Sequence, residues 1–211
     1  TRPENRIGSD KSWDKAESAL IESLHNTDCA FKLSPQEGAF YGPKIEYTLK
    51  DAIGRNWQCG TLQIDFSMPG RLGANYIDVN GQRRTPIMLH RAILGSLERF
   101  IGILIENYGG AMPVWLAPTQ VVVCCISEAS SEYAMEIVQT LRGNRFRVDA
   151  DLRSEKITRK VREHSLQKVP CILIVGNKEK QERTVSVRSR GNRDLGTLTI
   201  DEFEKRLTKK L

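Results

Sequence analysis

The sequence predicts an α/β chain of two unlike domains: a portion of an antiparallel α+β core, then a mostly parallel mixed sheet flanked by helices. Three observations predict it. The runs KIEYTLKDAI and WQCGTLQIDF, joined at Gly54-Arg55-Asn56, read most simply as an antiparallel hairpin. The stretch PIMLHRAILGSLERFIGILIENY changes from strand to helical period at Gly95-Ser96. Beyond residue 120, strand-length runs such as VVVCCI and CILIVG alternate with helical patterns in a β-α-β-α-β-β-α order, which favours a sheet with helices packed on it.

Taken in order, the first element is a helix from Ser9 to about Asn26, with Trp13, Ala16, Leu20 and Leu24 on one face and Ser9 or Asp10 as cap. The loop GAFYGPK, Gly38 to Lys44, has glycines around an aromatic pair and a proline that fixes its exit, a composition that suits the lining of a site. The hairpin that follows carries Tyr41, Lys44, Gln58, Thr61 and Gln63. Gln58 has the opposite strand parity from Thr61 and Gln63, so all three share a face only if an extra residue is absorbed between them, and Gly60 tolerates such a bulge. Cys59 has two readings, packing and metal ligation. From Phe66 to Arg84 the chain is rich in turns, and Asn80-Gly81 suits a tight hairpin. In the next stretch, Ile87, Leu89 and Ile93 alternate with Met88, His90, Ala92 and Leu94 as in a buried strand. A helix follows with its apolar stripe at Leu97, Phe100, Ile101, Leu104, Ile105 and Tyr108. It ends at Gly109-Gly110, and PVWLAP bridges to a second domain, giving domains of residues 1–113 and 114–211. Thr199 to Glu202 forms a capping box for the last helix, while His25 and His164 read as helix-surface or boundary residues.

Composition narrows the classes. At 211 residues and 39% hydrophobic content, each half can fill a core. No run approaches the roughly 20 apolar residues of a membrane span, and the first ten residues lack a secretory apolar stretch. The five cysteines form no CxxC pair and three lie in apolar runs, which fits a reducing, cytoplasmic setting. Charge is split unevenly. Residues 1–113 hold 13 Lys and Arg against 13 Asp and Glu, whereas residues 114–211 hold 19 against 13, so the whole net charge of +6 belongs to the second half. That excess suits a polyanion. No phosphate-binding glycine loop, metal cluster or nucleophile arrangement is recognisable there.

The run HRAILGSLERFIGILIE resembles motif 3 of the class II aminoacyl-tRNA synthetases, in the form found in the threonyl-tRNA synthetase family. AFYGPKIE and WQCGT resemble the family's corresponding segments. The second half resembles the anticodon-binding domain shared by the threonyl, prolyl, histidyl and glycyl enzymes. The resemblance runs from TRPENRIG to DLGTLTIDEFEKRL, so the chain reads as the C-terminal part of something longer.

The resemblance implies an ATP-dependent activation of threonine to threonyl-adenylate, followed by transfer to tRNA(Thr), with Mg2+ accompanying ATP. It implies that Arg99 and Lys44 act in catalysis, that Gln58, Thr61, Ser96 and Arg99 bind ATP, and that Tyr41, Gln63 and Lys44 bind the substrate. It makes His90 one ligand of a zinc ion whose Cys and other His lie upstream. It assigns Arg162, Glu179, placed in the turn after CILIVG, and Arg188 to anticodon binding. Motifs 1 and 2, the editing domain and most of a homodimer interface are expected outside this chain, which by itself is expected to be incomplete as a ligase. Two alternatives stay open: a noncatalytic synthetase-like RNA-binding protein and another class IIa synthetase of the prolyl type. Retention of Tyr41, Lys44, Gln58, Thr61, His90 and Arg99 weighs against the first, and His90 against the second.

Overall fold

The computed structural model describes residues 1–27, 29–191 and 193–209. The chain forms two compact units, Thr1–Ile103 and Leu104–Leu211. In the first, helix α1 (Asp10–His25) starts where the Ser9 hydroxyl accepts from the Ser12 N–H, satisfying one of the free donors of the first turn. Trp13 and Ala16 are buried along its inner face. The Trp13 indole donates to the Ile7 carbonyl at 2.8 Å and meets Phe66 edge-on at 5.7 Å, which fastens the helix close to where the sheet ends.

The predicted hairpin is present as β1 (Lys44–Lys50) and β2 (Asn56–Asp65). Helix α2 (Met68–Arg71) is one turn in a stretch predicted to be irregular, and β3 (Tyr76–Ile77) pairs with β4 (Arg83–Arg84) across the Asn80-Gly81 turn. Strand β5 (Met88–Ala92) then returns to pair with β2, giving a three-stranded antiparallel order β1-β2-β5. A turn with φ of +68° at Gly95 leads into α3 (Leu97–Tyr108), which ends at Gly109 and Gly110, both at positive φ.

Two expectations about burial need correction. Strand β5, predicted to be buried, lies at the sheet edge, with His90 and its immediate neighbours exposed. In α3 the inward side is Ile103 with the half-buried Phe100 and Leu104, while Leu97, Ile101, Ile105 and Tyr108 are exposed. Periodicity marks which surface is apolar, but burial depends on what packs against it.

The second unit is a five-stranded mixed sheet of order β10-β9-β8-β6-β7, built from β6 (Val121–Cys125), α4 (Ser131–Gly143), β7 (Val148–Asp151), α5 (Ile157–Leu166), β8 (Cys171–Val175), α6 (Asn177–Glu182), β9 (Thr184–Ser189), β10 (Arg193–Thr199) and α7 (Ile200–Thr208). Strands β7, β6 and β8 are parallel, while β9 and β10 are antiparallel additions. Val121, Val123 and Cys125 of β6 and Leu173 and Val175 of β8 pack with α4 and α7, through Tyr133, Ile137, Val138, Leu141, Phe203 and Leu207. On the opposite face Val122, Cys124, Ile172 and Ile174 pack with Ile157 and Val161 of α5. Burial on both faces explains why these strands read as unbroken apolar runs. The predicted order lacked α6 and β10. Helix α6, NKEKQE, has no apolar residue to show a period, and Gly196 interrupts the alternation of β10. The capping box at Thr199 and Glu202 is formed.

Candidate functional site

The bulge sets the site. Tyr47 pairs with Gly60 and Thr48 with Gln58, so Cys59 is the extra residue, buried as its packing reading requires. Its insertion restores a common parity: Gln58, Thr61 and Gln63 oppose Thr48, Glu46 and Lys44, and on the other side Thr61 and Gln63 oppose Ala92 and His90. One face of the sheet therefore carries Lys44, Glu46, Gln58, Thr61, Gln63 and His90.

Glycines hold the neighbouring segments against this sheet. A Cβ on Gly42 would lie 1.7 Å from the Ile64 carbonyl oxygen, so only glycine lets the GAFYGPK loop lie on β2. The loop thereby brings the Tyr41 hydroxyl to donate to Gln63 Oε1 at 2.9 Å. A Cβ on Gly95 would lie 2.4 Å from the Cys59 carbonyl oxygen, so the turn before α3 sits directly on the bulge. Consequently Arg99 Nη1 donates to the Gln58 carbonyl at 3.1 Å, and its guanidinium lies 5.3 Å from the Trp57 ring centre. The Ser96 hydroxyl donates to Glu98 at 2.9 Å and accepts from the Arg99 N–H at 3.3 Å, which makes it the cap of α3. Lys44 and Gln58 are joined through Glu46: Lys44 forms an ion pair with it, and Gln58 Nε2 donates to it at 3.1 Å.

At the far end of β2 stands a residue the sequence reading missed, Asp65, whose Oδ2 is 2.9 Å from His90 Nε2. Its Oδ1 accepts from the backbone N–H groups of Ser67 at 2.7 Å and Met68 at 2.9 Å. Burial pushes this carboxyl up, but the Met68 N–H, His90 and the Ser67 N–H outweigh it and hold it below the usual carboxylate range. Asp65 lies two residues beyond Gln63 in an alternating strand, a parity that could have flagged it. Trp57 and Glu46 were likewise readable only once the bulge was in place.

In the second unit, Arg162 of α5 and Arg188 of β9 line one cavity of about 360 Å³ with Ile157, Thr158, Val161, Ser165 and Ile174. The register places Arg188 opposite Ile172, on the sheet face that α5 covers. Glu179 is not among the residues lining this cavity, and it lies within α6 instead of a turn. Its Oε2 accepts from the Gly176 N–H at 2.9 Å, capping its own helix.

This half also holds a grouping of potential ligand atoms that was not recognisable in the sequence. Among the described residues, ligand atoms of Cys124, Asp151 and His164 lie within 4.8 Å of one another. Their separation in sequence hid the grouping, which arises because β6, β7 and α5 adjoin. The group already has its cations. Arg153 donates to Asp151 at 2.9 and 2.7 Å, His164 Nε2 lies 2.8 Å from it, and the buried Lys160 ammonium is 3.9 Å away. Burial pushes the Cys124 thiol up to about 12, so without a metal it stays protonated. This cluster is a buried ion network.

Residues 7–108 match the family model of the tRNA synthetase class II core domain (G, H, P, S and T), and residues 120–210 match that of the anticodon binding domain. Over 207 residues the chain is 72% identical to a threonine–tRNA ligase of Bordetella avium and 64% identical to one of Polaromonas naphthalenivorans, covering 98% of this chain and 32% and 33% of those proteins. It is also similar to the solved structure of the RNA binding domain of threonyl-tRNA synthetase from Cryptosporidium parvum, with a TM-score of 0.86 and 38% identity, covering 100% of this chain and 53% of that one. The chain thus spans about a third of the length of the ligases it matches. No helix among the described residues is long and apolar enough to cross a membrane.

Proposed function

Since the chain belongs to the threonyl-tRNA synthetase family, we propose that it is the part of a threonine–tRNA ligase that holds one wall of the adenylation site and reads the tRNA anticodon. Residues 1–113 serve the first task and residues 114–211 the second. The observation that carries this reading is the order of groups on one face of the sheet: Arg99, Gln58 and Thr61 at one end, then Lys44, Gln63 and His90 in one row across the three strands with Tyr41 on Gln63, and Asp65 beyond them.

In this reading the Arg99 end takes ATP, accompanied by Mg2+, with the guanidinium stacking on the base and neutralising phosphate charge. Ser96 supports that end by fixing the first turn of α3. Lys44 meets the charge that develops between nucleotide and amino acid, and Tyr41 and Gln63 orient threonine. His90 suits zinc. Its ring is half-exposed on a strand, one nitrogen faces Asp65, and the other has no hydrogen bond among the described residues. Zinc, when bound, would supply a centre that coordinates the amine and hydroxyl of threonine, a distinction from valine that an apolar pocket makes poorly. The remaining ligands belong to sequence outside this chain. The full-length enzyme is a cytoplasmic homodimer.

The cavity between Arg162 and Arg188 has an apolar floor for an unstacked base and two guanidinium groups for edges or phosphates, as single-stranded RNA recognition requires. Glu179 caps α6 through one carboxylate oxygen, and its second oxygen is assigned to the anticodon. The test uses the full-length enzyme. Arg99→Ala should abolish threonine-dependent pyrophosphate exchange and leave tRNA(Thr) binding nearly intact; equal loss of both would sink the assignment.

A further inference from the structure

We propose that Asp65 is a positioning residue that holds His90 as its Nε2–H tautomer and so presents Nδ1 as the ligating nitrogen, an inference that rests on reading His90 as a zinc ligand. Asp65 is 3% exposed and closes β2. Its Oδ1 is committed to the N–H groups of Ser67 and Met68, so the plane of the carboxylate is set by the turn into α2. That leaves Oδ2, 2.9 Å from His90 Nε2. An ionised carboxylate only accepts hydrogen bonds, so the nitrogen facing it carries the hydrogen. A neutral imidazole has one N–H, and the lone pair is therefore on Nδ1, which has no hydrogen-bond partner among the described residues.

The strands make the arrangement rigid. His90 pairs with Gln63 and Met88 with Asp65, so the two side chains are diagonal neighbours across adjacent strands, a separation set by register. A carboxylate behind the non-ligating nitrogen fixes ring orientation and raises ligand basicity, and its loss typically costs about 10- to 100-fold in metal affinity.

The tautomer can be measured without metal. In this chain labelled with 15N at histidine, at a pH where the ring is neutral, long-range 1H–15N correlations should show His90 protonated at Nε2 alone. Asp65→Asn keeps a carbonyl oxygen for Ser67 and Met68 but turns an amide N–H2 toward the ring, so His90 should move to Nδ1–H. Asp65→Ser keeps a hydroxyl acceptor for the turn and removes the partner, and should give a mixture of tautomers. In the full-length enzyme, chelator competition should find zinc bound about 10- to 100-fold more weakly in both variants and lost in His90→Ala. Finding Nδ1–H in the parent chain overturns the proposal, as does unchanged zinc affinity in both Asp65 variants when His90→Ala has lost the metal. If His90→Ala keeps zinc with parental affinity, the zinc assignment falls and takes the ligand half of the proposal with it, whereas the tautomer result still judges Asp65 alone.

Discussion

Lys160 is wholly buried, and its ammonium donates to the carbonyl oxygens of Cys125 at 2.9 Å and Asp151 at 3.1 Å. The carboxylate that balances it is Asp151, which Arg153 and His164 also engage. A buried charge left without its counter-ion is costly, so Asp151→Asn should destabilise the chain by about 3–5 kcal/mol in urea unfolding. Hydrogen bonding from Arg153, opposed by burial and aided by His164, holds this carboxyl well below the usual carboxylate range. Because the folded value lies below the unfolded one, the stabilisation is complete above about pH 4 and drains away as pH falls below it. The parent's urea midpoint should decline through that acid window, and Asp151→Asn should flatten the decline. Residue by residue, legibility followed local sequence. Tyr41, Lys44, Gln58, Thr61 and Gln63 stood out as candidates because they share one loop and hairpin. The partnership of Asp151 with His164 joins a strand end to a helix 13 positions later, and nothing in either segment announces it.

At the scale of elements, the bulge was legible because three polar residues of mixed parity demanded it, while α6 left no trace in periodicity. In the structure Glu179 caps α6, and the proposed function adds a contact to the anticodon. Glu179→Ala should cost about 1 kcal/mol of thermal stability through the lost cap, and Glu179→Gln much less, since its amide oxygen still accepts from Gly176. If the second oxygen contacts a base, both substitutions should lower the preference for the cognate anticodon stem-loop by about 1–3 kcal/mol. Loss of preference in the alanine variant only would make Glu179 a capping residue and remove it from recognition. The apolar stripe of α3 shows the opposite limit: its chemistry was read correctly, yet its exposed side shows that pattern alone does not name a packing partner.

Across the whole molecule, the net charge is concentrated in residues 114–211, and this basic half should bind RNA with strong salt dependence. In the proposed reading the first half holds only one wall of the adenylation site and one zinc ligand. Purified by itself, the 211-residue chain should therefore show threonine-dependent pyrophosphate exchange far below an ordinary enzyme rate of about 1 per second, and no stoichiometric zinc. Exchange at an enzyme-like rate by material of verified mass would contradict the assignment of roles. The packing that fills the two cores also sorts the thiols. Cys59, Cys124, Cys125 and Cys171 are buried and Cys29 is exposed. A thiol-reactive disulfide reagent should thus titrate one sulfhydryl in the native chain and all five after unfolding. The fold thereby provides a native attachment point for a fluorophore at Cys29, at the far end of α1 from its cap, through which RNA binding by this chain can be followed without first removing Cys59, Cys124, Cys125 or Cys171.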